Sequence, residues 1–218
     1  MCMHFIKKVA LVTMGLTLAG CATTQTYDYQ NPELATVRYN RLVVFVNNGD
    51  LGLRKRLEAT ACQSLAPLPC APMGSIIFPG DENSFGAMLD TLAKRGESAV
   101  LVIEIGQDQS TSEVAGYVGG GSFHRNGFNS FSAPVMSYNR KSKGMAELVD
   151  VKSRETAWKG QLNTHGAGLI AVTDGSFERA QSLDLAKHLW ATNLFVLPLS
   201  APTKLSGGHR HPLRAGVD

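Results

Sequence analysis

Two stretches of this chain stay apolar for about the length of a strand. Leu42 to Val46 is a continuous, mostly β-branched run, and Val100 to Ile105 repeats it with Glu104 as the one polar member. Runs without polar alternation belong to strands covered on both faces. The chain must therefore supply helices for two sides of a sheet, and the sequence between the runs does so. Asn47-Asn48-Gly49-Asp50 reads as a turn and N-cap, and Leu53, Leu57, Ala61 and Leu65 then form one apolar helical stripe, with Arg54, Lys55 and Glu58 elsewhere. Prolines from Pro67 to Pro72 end that helix. Ser75 to Phe78 reads as a short strand stopped by Pro79-Gly80. Phe85, Met88, Leu89 and Leu92 mark a second helix, with Gly96 where a helix C-terminus favours it. Strand, helix, strand, helix, strand predicts a layered α/β domain.

The remainder extends that frame. Met145–Lys152 and Thr156–Thr164 read as a hairpin, with Trp158, Gly160 and Leu162 on one face and Lys159, Gln161 and Asn163 on the other. A last helix is expected from Ser176 to Phe195, capped by Asp174 or Ser176, its buried side marked by Phe177, Ala180, Leu183, Ala186, Trp190 and Leu194. From Gln107 to about Lys143, Ser, Gly, Asn and aromatic residues dominate, which reads as irregular strands around a long flexible loop. The expectation is a single α/β domain over residues 41–199: a mixed sheet of about five strands with helices packed on it. Residues 22–40 read as a flexible linker and 200–218 as a disordered tail.

The N-terminus has the order of a secretion signal: Lys7 and Lys8, an apolar stretch from Val9 to Leu18, then small Ala19 and Gly20 before Cys21. The stretch is too short to anchor across a bilayer core of roughly 30 Å. Leu18-Ala19-Gly20-Cys21 resembles the lipobox of bacterial lipoproteins. That resemblance implies cleavage of residues 1–20, a diacylglyceryl group on the Cys21 sulfur and acylation of the new amine. Ala22 implies sorting to the outer membrane, facing the periplasm. The covalent lipid on Cys21 is then the partner of the membrane, and no other cofactor is expected.

An exported chain meets an oxidising compartment. Cys2 leaves with the signal, so Cys62 and Cys70 remain as a disulfide across the turn of Pro67 and Pro69, or as two buried thiols. The formal charge of +3 includes Lys7 and Lys8. Without them and the basic tail the body is nearly neutral, and no nucleic-acid partner is expected.

The order of elements, and the segment Ala146-Glu-Leu-Val-Asp150-Val-Lys-Ser-Arg154-Glu-Thr-Ala-Trp158-Lys-Gly160, is similar to small periplasmic α/β lipoprotein domains. These include the penicillin-binding-protein activator lipoproteins, the curli secretion lipoprotein's core and envelope lipoproteins of similar layout. Arg154 stands where those relatives usually have glycine, so a left-handed turn there carries strain.

No constellation assembles into an expected active site. Gly116–Gly121 lacks a phosphate-binding signature. Ser122, His124, Ser130, Ser132 and Asp108 share the loop without the rigid elbow a nucleophile needs. His209 and His211 make an incomplete metal site, His165 and His188 read as ordinary, and Glu104 reads as an edge or strand-end carboxylate in contact with water. Catalytic and metal residues are thus expected to be none. Tyr117, Phe123, Phe128, Phe131 and Tyr138 are the candidate partner-binding residues, or else they cover one end of the sheet. The expected function is a non-enzymatic, outer-membrane-anchored periplasmic module that binds or assists another envelope component, protein or peptidoglycan. The alternatives are a cell-wall or glycan hydrolase and an oligomerising structural subunit.

Overall fold

The computed structural model describes residues 22–81, 84–106, 108–124 and 127–197, with the backbone alone over 121–124 and 127–131. The expected signal over residues 1–20, Cys21, residues 198–199 and the expected tail over 200–218 lie outside these residues. The described chain forms an α/β fold: a seven-stranded mixed sheet with three helices packed on it.

The strands are β1 (Thr23–Gln30), β2 (Leu42–Val46), β3 (Cys70–Pro72), β4 (Ala99–Ile105), β5 (Gln109–His124), β6 (Gly127–Asp150) and β7 (Thr156–Ala167). The helices are α1 (Leu51–Ser64), α2 (Phe85–Lys94) and α3 (Asp174–Ala191). The sheet runs β1-β7-β6-β4-β2-β3, with β5 also paired to β6. β4–β2 and β2–β3 are parallel, and every other pair is antiparallel.

The two apolar runs become β2 and β4, adjacent and parallel at the centre, as their lack of alternation requires. One face carries Leu42, Val44, Val46, Leu101, Ile103, Leu148, Trp158 and Leu162 against α1 and α3, through Leu57, Leu185 and Leu189. The opposite face carries Val43, Val100 and Val149 against Met88, Leu89 and Leu92 of α2. Asp50 caps α1 by accepting from the Gly52 and Leu53 amides, and Ser84 caps α2 through the Ala87 amide. Gly96 ends α2 with φ +75°, the left-handed conformation expected of it.

Cys62 and Cys70 are disulfide-bonded, Cα to Cα 5.3 Å, tying the end of α1 to edge strand β3. Inside α1, Arg54 and Glu58 are buried, a pairing the helical stripe did not announce. Glu58 accepts from Arg54 Nε at 3.0 Å, from the Val46 amide at 3.2 Å and, with its other oxygen, from the Gly74 amide at 3.2 Å. One carboxylate thereby joins β2, α1 and the turn at Met73–Ser75.

Four expectations change. Residues 22–40 are not a linker: β1 pairs with β7 from Thr23↔His165 to Gln30↔Trp158, a 3-10 turn follows at Pro32–Leu34, and Tyr39 is buried. The backbone bonds that β7's open edge demands outweigh β1's lack of aliphatic residues. Ser75–Phe78 is no strand, because the third strand of that sheet edge is Cys70–Pro72, placed by the disulfide, and the chain then turns at Met73–Ser75. Within the segment 107–143 the described residues form two long, regularly paired strands rather than irregular strands around a long loop, from Gln109↔Lys141 to His124↔Gly127. The cap of α3 is Thr173, and Leu183 is exposed while Gln181 and Ser182 are buried.

Candidate functional site

Helix α2 covers only the β2–β4 half of its face of the sheet. Among the described residues no helix covers the β1–β7–β6 half on that side, and its exposed residues follow from register. Thr23, His165 and Lys141 form one row across the strands, Gln25, Asn163 and Lys143 the next. Tyr27, Gln161, Met145 and Glu104 follow, then Tyr29, Lys159 and Glu147. Tyr29 is 83 % exposed, and the polar side of the β7 alternation faces water as its sequence predicts. Glu104 is at the solvent-facing end of β4, where its carboxylate accepts from Asn47 Nδ2 at 2.9 Å.

The first two rows border an open hollow of about 550 Å³, lined by Gln25, Lys141, Ser142, Lys143, Gln161 and Asn163 among others. Among the described residues Asn163 Oδ1 here is buried without a hydrogen-bond partner, as is Ser142 Oγ, which the alternation of β6 places on the opposite face beside Thr164. Lys141 and Lys143 add positive charge at the rim. A smaller hollow of about 200 Å³ adjoins it, with Glu104, Glu147, Met145, Phe85 and Arg154 in its wall. There Glu147 pairs with Lys159 at 2.5 Å and accepts from Thr156 at 3.4 Å. The turn Asp150–Glu155 closes this end. Arg154 has φ +65°, as its replacement of glycine foretold, and reaches Asp90 at 2.5 Å.

The other candidates lie on the hairpin. Tyr117 is 71 % exposed and Tyr138 partly buried. Phe123 and Phe128 are register partners, and Phe131 stands opposite Gly120 in the other set of alternating positions. Ser122, His124 and Ser130 fall within the same ribbon, and their side chains lie outside the described residues. Asp108 is drawn into a different role. At the base of the hairpin Arg140 bonds Asp108, Asp174 (2.8 Å) and the Val172 carbonyl (3.0 Å), and its guanidinium stacks on Phe177 at 4.4 Å. Burial opposes that charge, and hydrogen bonds to Asp108 and Asp174 more than offset it, so the Arg140 pKa moves up. The cluster locks the hairpin's root to the start of α3.

A polar cluster absent from the sequence-based expectations joins β1 to α3. Asp28 accepts from the indole nitrogen of Trp158 at 2.7 Å and meets His188 Nδ1 at 3.2 Å, while Thr26 donates to Asp184 at 2.7 Å. Its only sequence signal was the alternation of Thr26 and Asp28 with Tyr27 and Tyr29. Among the described residues no group of three or more His, Cys, Asp or Glu is placed to hold a metal ion, and His209 and His211 lie outside them.

No family model and no curated protein matches the chain. Among solved structures it is similar to the PelC dodecamer from Paraburkholderia phytofirmans, at 13 % identity and TM-score 0.44, covering 75 % of this chain and 97 % of that one. A single-residue variant of the same dodecamer gives 12 % and 0.44, with 74 % and 96 % covered. A PDZ domain protein from Parabacteroides distasonis gives 7 % and 0.26, with 84 % and 40 % covered. At this distance the likeness says nothing of what this chain binds or assembles with.

Proposed function

We propose that this chain is an outer-membrane-anchored periplasmic lipoprotein whose folded domain is a non-enzymatic binding module for another envelope component. The order of charge, apolar stretch and Leu18-Ala19-Gly20-Cys21 supports the anchor, and the Cys62–Cys70 bridge fits an oxidising compartment. The observation that carries the binding role is the hollow on the open sheet face, rimmed by Lys141 and Lys143, with one oxygen unspent among the described residues, Asn163 Oδ1. A buried polar group without a partner costs about 1–3 kcal/mol, which a bound donor recovers. Lys141 and Lys143 favour an anionic guest, and the amides of Gln25, Gln161 and Asn163 favour one rich in hydroxyl and amide groups. Peptidoglycan, with sugar hydroxyls, peptide amides and carboxylates, has that chemistry.

Full-length lipidated chain in detergent is expected to cosediment with purified peptidoglycan, and Lys141→Glu with Lys143→Glu to reduce the bound fraction. A photo-crosslinker at Gln161 that traps an envelope protein while sacculi are ignored replaces peptidoglycan with a protein partner. Capture of neither sinks the binding role. Separately, Cys21→Ser is expected to be unacylated, uncleaved and absent from flotation fractions with intact outer membrane.

The hydrolase reading keeps one observation in its favour, that Glu104 and Glu147 line the same small hollow. A glycan hydrolase needs one carboxyl group kept protonated by its surroundings. Glu104 is exposed and Glu147 is salt-bridged to Lys159, which favours the binding module. Clearing of sacculi by the native chain, abolished by Glu104→Gln or Glu147→Gln, would reverse that preference.

A further inference from the structure

Register settles at which end of the sheet β1 begins. Thr23 is level with His165 and, through β7, with Lys141. Strand β6 reaches that level after running from Gly127 to Tyr138 beside β5 alone, since its pairing with β7 starts only at Asn139. The start of β1 and the free ribbon therefore leave the sheet at one and the same end.

Cys21 precedes Thr23 by two residues, a reach of about 7 Å at most. From Gly127 to Asn139 the ribbon covers about 40 Å at ~3.3 Å per residue. Each headgroup layer of a bilayer is only about 5–8 Å deep. With acyl chains on Cys21, a premise taken from the proposed lipid anchor, a ribbon leaving that same end is carried to the bilayer and not out toward the periplasm.

Its composition suits that destination. Between Glu113 and Arg140 the sequence holds one Lys, Arg, Asp or Glu, which is Arg125. Val114, Tyr117, Val118, Val135 and Met136 are exposed there. We propose that the two arms Val114–Gly120 and Ser132–Tyr138 rest on the lipid bilayer at headgroup depth. Tyrosine suits that depth, with an apolar ring and a wet hydroxyl. The open backbone edges set the limit of entry. Among the described residues one edge of β6 is unpaired from Gly127 to Tyr138, and the outer edge of β5 pairs with no strand. Unpaired amides and carbonyls are tolerated among headgroups and water but not in hydrocarbon.

The test places full-length, acylated Tyr117→Trp and Tyr29→Trp variants in phosphatidylcholine vesicles brominated at a shallow or a deep acyl position. Tyr29 lies on the open face some 20 Å further along β1 at ~3.3 Å per residue. Emission is read against the parent's Trp158 and Trp190. The expected result is loss of the position-117 emission with shallow bromines and unchanged emission at position 29. A chain that carries acyl mass on Cys21 and floats with vesicles, yet keeps its position-117 emission, overturns the proposal and leaves the anchor standing. Equal loss from shallow and deep bromines also overturns it, in favour of a spanning arrangement closed by other copies. Absence of acyl mass together with failure to float removes the anchor and the proposal with it.

Discussion

Glu58 has three obligations in a space shielded from solvent. Its side chain is 2 % exposed and that of Arg54 8 %, and one oxygen holds the guanidinium and the last amide of β2 while the other holds Gly74. Removing one partner of such a pair costs about 3–5 kcal/mol, because the charge left behind is not rehydrated. Glu58→Ala is therefore expected to lose that much stability by urea titration, whereas loss comparable to an exposed ion pair, at most about 1 kcal/mol, would place the carboxylate in contact with solvent. The helical stripe of Leu57, Ala61 and Leu65 was legible, but this pair was not, since charged residues at i and i+4 read equally well as a solvated face. Gly160 was half legible. The alternation put it on the buried face with Trp158, and only the folded strand reveals that a Cβ there would stand 2.4 Å from the indole ring. The left-handed turn at Arg154 was expected only from the resemblance to periplasmic lipoprotein domains, since arginine itself disfavours that conformation.

Among the elements, α1 and β3 are joined by a bridge between residues eight apart in sequence. Cross-linking so short a loop stabilises by about 2–3 kcal/mol in the chain-entropy view. The variant with Cys62→Ser and Cys70→Ser is expected to lose that amount by chemical denaturation. An unchanged midpoint would mean the bridge adds nothing beyond the packing of Leu65 and Leu68. Strand β1 makes the opposite point about legibility. Its residues Thr23–Gln30 hold no aliphatic side chain, so no hydrophobic period marks them, yet threonine and tyrosine favour a pleated surface. What recruits them is the edge of β7 and, across the sheet, Asp28 waiting for the indole of Trp158. The length and regularity of the hairpin escaped notice for a related reason. Gly119–Gly121 and the serines around them have weak strand preference, and the ladder between β5 and β6 comes from backbone bonds that any sequence makes.

At the scale of the whole molecule, the layered core and the ribbon are separable. Strand β5 pairs with β6 alone, and the ribbon meets the core at the Arg140 cluster with Asp108, Asp174 and Phe177. Replacing residues 114–135 by a short turn is expected to leave core stability within about 1 kcal/mol, the order of the change in loop-closure entropy. Calorimetry showing a much larger loss would make the ribbon part of the core, which would also weaken its assignment to lipid. The sequence alone determined the central strands and the three helices, because periodic burial and turn residues are written in neighbouring residues. Only the tertiary structure decided that the presumed linker is an edge strand, that the presumed loop is a ribbon, and that both leave the sheet at one end. Those outcomes depend on which open edge a weakly patterned segment finds, and an edge exists only once the rest of the chain has folded.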